Sequence, residues 1–440
     1  MTSLATALAG TRYQSYVYAY PHKTAYRRLT PAVPLGPLWA GERRDALFLY
    51  IHVPFCEQRC GFCNLFTRPV PPEQLVDAYV ATLARQAGVV RRALDEGGAF
   101  AFARAAIGGG TPTYLDARQL ARVFELVAAM GAARGVPMSV ETSPETALPD
   151  RLAVVVGGGA DRISIGVQSF VDDECRAVNR PQRAAEVHRA LRAIRDAGPA
   201  TLNVDLMYGL PGQTAASWQT TLLSVLEYRP EELYLYPLYV RPLTTLGKKA
   251  SSTADRVQIA LYEQGRAMLL AAGYHQVSLR MFRRGGAAGT GPVYCCQDDG
   301  MIGIGCGARS YTRRLHYSSE WAVGARGVRD IIDRWIERTD DELAVADYGF
   351  VLDADEQRRR WLILSLLSDA GLDLAAYRAR FGSDSGDDFP VLAELASRDL
   401  ATCDEHTLAL TELGLAHADV IGPWLYSDTV RARMAEFELT

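Results

Sequence analysis

Between residues 46 and 240, short apolar runs alternate with amphipathic stretches, and this alternation restricts the fold to few architectures. The apolar runs fall at 46–53, 104–108, 137–142, 162–166, 202–208 and 232–238, with helical patterns between them at 72–96, 116–134, 183–197 and 215–228. Strands joined by helix-length crossovers lie parallel, and their helices pack outside the sheet. The expected fold is therefore α/β, a parallel βα barrel or a partial parallel βα barrel, over residues 46–340. An N-terminal arm (1–45) precedes it, and a mainly helical, winged-helix-like domain (341–440) follows, with a short hairpin in 401–410. In such a sheet, reactive groups gather at the carboxyl ends of the strands, where the loops begin.

Two motifs occupy those ends. Cys56, Cys60 and Cys63 follow the first strand in Tyr50-Ile-His-Val-Pro-Phe-Cys-Glu-Gln-Arg-Cys-Gly-Phe-Cys63. A C-x3-C-x2-C triplet supplies three soft thiolates, which suits an iron–sulfur cluster. A closed zinc site or a fully protein-ligated cubane needs four ligands, so one iron is left open. The alternative is three buried, unligated cysteines. Gly108-Gly109-Gly110-Thr111 follows the second strand and precedes a helix, so its amides can face an anion or carboxylate. Later strand ends carry Glu141, Gln168 with Arg180, and Asp205. Each alone is equally readable as an ordinary satisfied polar group. Together they offer carboxylates for hydroxyls or an ammonium, and an arginine for a carboxylate.

Composition narrows the classes. At 48% hydrophobic and 22% charged residues the chain can bury a large core, and a formal charge of −4 argues against a general nucleic-acid binder. Asp and Glu are frequent in 383–405, so the tail reads as a domain closing over the barrel. No apolar run approaches a membrane span of about 18 residues. The start lacks a basic n-region, so no secretory signal is expected. The eight cysteines are unevenly placed, which fits a reducing cytoplasm better than a disulfide framework.

With these motifs in place, the chain resembles the HemN-like (oxygen-independent coproporphyrinogen III oxidase-like) branch of the radical S-adenosylmethionine (SAM) superfamily. The resemblance rests on Tyr50-Ile-His-Val-Pro-Phe-Cys56, Gly108-Gly-Gly-Thr-Pro-Thr113, Ser164-Ile-Gly-Val-Gln168, Asn179-Arg180 and Asp205-Leu-Met-Tyr-Gly-Leu-Pro211. It implies that Cys56, Cys60 and Cys63 bind a 4Fe–4S cluster. It further implies that Tyr50, Phe62, Gly109, Gly110, Thr111, Glu141, Gln168, Arg180 and Asp205 line a SAM site. The activity implied is reductive cleavage of SAM to a 5′-deoxyadenosyl radical, with an electron donor such as flavodoxin or ferredoxin.

Three branches of the resemblance imply different outcomes: oxidative decarboxylation of a porphyrinogen, methyl transfer with a second SAM, and haem carriage by a chaperone. After Cys63 the chain reads Asn64-Leu-Phe, without the further cysteine of the decarboxylase, and Gly291-Pro-Val-Tyr294 replaces its glutamine–glycine–tyrosine element. The chaperone's haem motif is not found in that segment either. By elimination, the leading expectation is methyl or alkyl transfer to an unidentified small molecule by a cytoplasmic monomer. Coproporphyrinogen-type decarboxylase and haem or tetrapyrrole chaperone are the alternatives.

Arg241, after the last barrel strand, and Arg309, ending Ile302-Gly-Ile-Gly-Cys-Gly-Ala-Arg309, are candidates to bind a substrate or second-SAM carboxylate. Their bland reading is a structural ion pair. That glycine-rich segment implies tight backbone near a ligand. Cys295, Cys296 and Cys306 offer a hydrogen atom or metal ligands, or are small buried residues. Cys175 and Cys403 read as structural, and His52 as packing or supporting the cluster loop. A loop is expected near 283–291. The arm, with Tyr16, Tyr18, His22 and Lys23, either packs its tyrosines over the core or covers the site and touches an anionic substrate.

Overall fold

The computed structural model describes residues 3–132, 135–241, 243–248, 255–285 and 300–438. Cys295, Cys296, the Gly291–Tyr294 element and most of the expected 283–291 loop lie outside the described residues. One curved sheet dominates. Its strands in chain order are β1 (Arg27–Pro34), β2 (Leu47–Val53), β3 (Phe102–Gly109), β4 (Met138–Thr142), β5 (Arg162–Gln168), β6 (Thr201–Tyr208) and β7 (Glu232–Pro237). After these come β8 (Tyr274–Gln276), β9 (Met281–Arg284), β10 (Met301–Ile304), β11 (Arg309–Tyr311), β12 (Leu315–Ser318) and β13 (Val345–Val351). The 13 strands lie in the order β1-β13-β12-β11-β10-β2-β3-β4-β5-β6-β7-β9-β8. Strands β10 and β2 through β7 pair in parallel, and antiparallel strands extend both edges. The sheet is a barrel that does not close.

The expected strands and helices are present, and so is a parallel strand not foreseen. Met301–Ile304 joins β2, and the glycine-rich segment turns back into β11. Its tightness serves the chain itself. A Cβ on Gly303 would lie 2.3 Å from the Arg309 carbonyl oxygen, and one on Gly305 would lie 2.6 Å from that of His52. The sheet also runs through both expected domain boundaries. Strand β1 comes from the arm and pairs antiparallel with β13, which begins after residue 340.

The alternation along the parallel strands explains the layering. In β5, Ile163, Ile165 and Val167 are buried in the main core, while Arg162, Ser164 and Gln168 occupy the opposite face. In β6, Leu202, Val204 and Leu206 alternate with Asn203 and Asp205. Parallel strands covered on both faces usually read as continuous apolar runs. Here only the outer face meets helices, and the inner face is polar.

The helices supply the complementary apolar stripes. In α4 (Ala184–Ala197), Val187, Ala190, Leu191 and Ile194 are buried at helical spacing; full burial of such aliphatic side chains contributes roughly 1.5–3 kcal/mol each. In α2 (Ala117–Met130), Asp116 accepts from the Gln119 amide and Gln119 accepts from that of Asp116, closing a capping box. Gly131 ends α2 in the left-handed conformation. The other barrel helices are α1 (Glu73–Glu96), α3 (Pro149–Gly157), α5 (Ala215–Leu226), α6 (Asp255–Ala271) and α7 (Ala325–Glu337).

A second core unites the arm with the C-terminal domain. Leu4, Val17, Tyr20 and Tyr26 pack with Leu362, Ile363 and Leu366 of α8 (Ala354–Leu366) and with Trp424. The expected hairpin is Ala401–Cys403 paired with Thr407–Leu410, and Leu372–Asp373 adds a third strand. Among the described residues, no helix is long and apolar enough to cross a membrane.

Candidate functional site

The cysteine loop leaves β2 and is closed at its base by main-chain bonds, Arg68 N to Pro54 O (2.6 Å) and Val70 N to Cys56 O (2.9 Å). Its tip is strapped down as well. Gly61 N donates to Val178 O (2.7 Å), and Leu246 N donates to Gly61 O (3.0 Å). Arg68 reaches Asp333 of α7 at 2.8 Å. Cys56, Cys60 and Cys63 are thus held on one anchored loop, each half-buried.

Each thiol has a polar neighbour. Thr111 Oγ1 lies 3.6 Å from Cys56 Sγ, Arg180 Nη1 lies 3.2 Å from Cys60 Sγ, and Thr67 Oγ1 lies 4.0 Å from Cys63 Sγ. Burial pushes the thiols of Cys56 and Cys63 up, so ligation must draw a proton from each. Among the described residues, no three His, Cys, Asp or Glu side chains converge to hold a single ion. Three soft donors without a mononuclear centre fit a polynuclear group.

The three glycines ending β3 each admit one neighbour. A Cβ on Gly108 would lie 2.9 Å from the Glu141 carboxylate, and one on Gly110 would lie 2.5 Å from Phe55 O and 2.9 Å from Cys56 Sγ. Gly109, at φ +120°, faces His52, whose ring would be 2.6 Å from an added Cβ. One of this turn's amides does face a carboxylate, but it is the chain's own, and the next two donate to main-chain carbonyls. Gly109 N donates to Glu141 Oε2 (2.9 Å), Gly110 N to Val53 O (2.8 Å) and Thr111 N to Phe55 O (2.7 Å). The chain's own acceptors already use these donors, and the glycines act by giving space.

His52 is a supporting residue. Its Nδ1 is 3.0 Å from the Tyr50 hydroxyl, and burial lowers its pKa to about 4, so the ring is neutral. Phe62 packs beside Val178, Met207 and Leu238, an apolar wall next to the cysteines. Arg180 is fixed by Gln182 Oε1 (2.7 Å) and Gly166 O (2.5 Å). Gln168 adopts φ +69° where the β5–β6 register slips, and its buried Oε1 has no partner among the described residues. A strained residue with an unmet acceptor at a strand end marks a place for a ligand donor.

Inside the barrel, Glu141, Asp205, Tyr50, Tyr236 and Arg309 lie deep yet keep accessible surface, which therefore faces an internal hollow. Burial raises Asp205 to about 7, against the pull of Asn203 Nδ2, 2.8 Å away, and of Arg162. Burial also raises Glu141, opposed by the Gly109 amide and by Arg162. Arg162 itself is held by Glu232 (2.8 Å) and Ser139 Oγ (2.8 Å). This Arg162–Glu232 pair, absent from the sequence expectation, could have been found from the polar residues alternating along β5 and β7. Arg241 stacks on Tyr239, 4.7 Å from the ring centroid, at the same end of the sheet. Cys306 points the other way, buried in the outer core with Sγ 3.8 Å from Ser319 Oγ, and takes no part in the hollow. Cys403 is exposed, and Cys175 is buried with Sγ 3.4 Å from Nε2 of Gln182, the residue that also holds Arg180.

The comparisons bear on this arrangement directly. The model of the radical SAM superfamily matches residues 50–225, and that of the HemN C-terminal domain matches 352–417. The heme chaperone HemW of Escherichia coli (strain K12) is 32% identical over 275 residues, 60% of this chain and 69% of that protein. The chain belongs to the radical SAM superfamily, in its HemN-like branch. The oxygen-independent coproporphyrinogen III oxidase of Paracoccus denitrificans is 28% identical over 429 residues, 92% of this chain and 90% of that protein. The HemN structure from Escherichia coli superposes with a TM-score of 0.76 at 22% identity, covering 96% of this chain and 98% of that one. The HemN-like fold is shared throughout, and family membership implies a 4Fe–4S cluster and SAM.

Proposed function

We propose that this protein is a HemN-like radical SAM enzyme that transfers a methyl or alkyl group to a small molecule with the help of a second SAM. A 4Fe–4S cluster held by three thiolates supplies reductive cleavage of SAM to a 5′-deoxyadenosyl radical. The observation carrying the reading is Arg180 Nη1 at 3.2 Å from Cys60 Sγ, a guanidinium set beside the thiol triplet. There it would suit the carboxylate of a SAM bound beside the cluster that these cysteines would hold. Cys56, Cys60 and Cys63 hold the cluster, and Gly108, Gly109 and Gly110 keep the second strand close to them. Phe62 offers its face to an aromatic base, Gln168 an unmet acceptor, and Glu141 and Asp205 acceptors for hydroxyl or ammonium groups. Tyr50 and Thr111 line the same end. Arg241 and Arg309 receive the carboxylate of the substrate or the second SAM. The outer helices and the arm exclude water from the hollow.

We place the enzyme in the cytoplasm as a monomer reduced by a flavodoxin or ferredoxin. Reconstituted protein supplied anaerobically with dithionite and SAM should yield 5′-deoxyadenosine. An intact cluster without that product would overturn the enzyme reading. A second reading, haem carriage, is favoured by the 32% identity to HemW. Stoichiometric haem binding without SAM cleavage would establish it.

A further inference from the structure

Two cations from distant parts of the chain meet in the barrel without a carboxylate between them. Arg309, on β11, stacks on Tyr18 of the arm with its guanidinium carbon 4.7 Å from the ring centroid. Lys23 lies over the Trp321 ring, Nζ 3.8 Å from its centroid, and also reaches Tyr18. The groups acting on Arg309 are the phenols of Tyr18, Tyr311, Tyr26 and Tyr50. Those acting on Lys23 are Tyr18, Arg309 and the Cys63 thiol. Among the described residues neither forms an ion pair with Asp or Glu. Arg309 Nη1 is buried and has no hydrogen-bond partner among the described residues.

Buried charge without a counter-charge is costly, and buried donors are nearly always bonded. Titration follows the geometry. Burial lowers Lys23 to about 8, which leaves it charged at neutral pH. Burial alone would raise Tyr18, but Arg309 and Lys23 outweigh it and bring the phenol to about 8.

We propose that Lys23, Tyr18 and Arg309 form a receptor for one carboxylate, beside the cluster loop, with the arm supplying half of it. This rests on the radical SAM reading and narrows it: the molecule held there carries a carboxylate, whether it is the substrate or a second SAM. The arm is then a specificity element as well as a structural one. Lys23 contributes attraction, the Arg309 fork contributes direction, and Tyr18 holds both in place.

The test is calorimetric titration of the cluster-loaded full chain with benzoate, and with benzamide as the neutral isostere, before any SAM is added. Benzoate should bind and benzamide should bind at least about tenfold more weakly. Lys23→Met should weaken benzoate at least about tenfold and leave benzamide unaffected, whereas Lys23→Arg should retain most of the preference. Equal affinity for the two probes, no benzoate heat up to about 10 mM, or an unaltered Lys23→Met protein would each overturn the receptor. Counting bound SAM identifies the source. Two SAM per chain, with benzoate displacing one and Lys23→Met losing one, assigns the carboxylate to the second SAM. One SAM with benzoate bound alongside assigns it to the substrate. Failure to form 5′-deoxyadenosine while benzoate preference persists would overturn the enzyme reading and leave the receptor standing.

Discussion

Arg280 Nη2 lies 2.7 Å from both carboxylate oxygens of Asp419, and the two side chains are only 4% and 2% exposed. Arg280 precedes β9 of the barrel, and Asp419 belongs to the C-terminal helix Ala418–Trp424. The guanidinium also stacks on Tyr16 of the arm at 4.1 Å, and Tyr239 donates to Asp419. Three parts of the chain therefore meet at one buried ion pair.

Removing one partner should be costly, because the other charge stays buried. Asp419→Ala is expected to lose about 3–5 kcal/mol, read by urea unfolding, with faster amide exchange in residues 13–20. Arg280→Met combined with Asp419→Leu should recover most of that loss. An Asp419→Ala protein as stable as the parent would refute the node.

The cysteines should separate cleanly by place. Cys60→Ala is expected to abolish both the cluster absorbance and SAM cleavage, while Cys175→Ala and Cys403→Ser should keep the cluster absorbance. Iron and sulfide analysis of the reconstituted proteins checks this. Full cluster content in Cys60→Ala would sink the ligand assignment.

Gly110→Ala should act as a cluster mutant although it removes no ligand. Its methyl group would meet Phe55 O at 2.5 Å and Cys56 Sγ at 2.9 Å, so the loop must move. We expect cluster content to fall severalfold, with near-native circular dichroism. Normal iron loading would show that the loop yields at no cost.

Asp205 gives a pH signature in protein without cofactors. Its folded pKa, raised to about 7 by burial, exceeds that of an unfolded aspartate, about 3.9. Between those values the folded state binds the extra proton, so this group's contribution to stability falls as pH rises from about 4 to 7. Asp205→Asn should therefore raise the melting temperature at pH 8 by a few degrees, roughly, and change it little near pH 4. The same gain at both pH values would show that ionisation is not the cause.

Local patterns made much of this legible. The six expected strands and the crossover helices follow from hydrophobic periodicity, which single segments carry. The cysteine loop and the strand-end polar groups were visible because strand ends concentrate chemistry. Strand β10 was hidden, since Met301-Ile-Gly-Ile304 is too short and glycine-rich to declare itself. Strand β1 contains Pro31 and exposed residues, and its pairing is dictated by β13 from far along the chain. The packing reading of the arm holds for some of its tyrosines. Tyr13, Tyr20 and Tyr26 pack in the cores, while Tyr16 and Tyr18 line the hollow. Nothing in the sequence pairs Arg280 with Asp419 or Lys23 with Arg309, because those contacts exist only after the chain has folded.

The polar-inward alternation of the parallel strands has a consequence for how such proteins diversify. Cohesion comes from the layer between sheet and outer helices, so replacing Ser164, Asn203 or Tyr236 need not disturb the residues that hold the barrel together. Chemistry and cohesion are assigned to alternate positions of the same strands. Inward side chains can thus change what the barrel holds, one at a time, while the outward ones keep the scaffold.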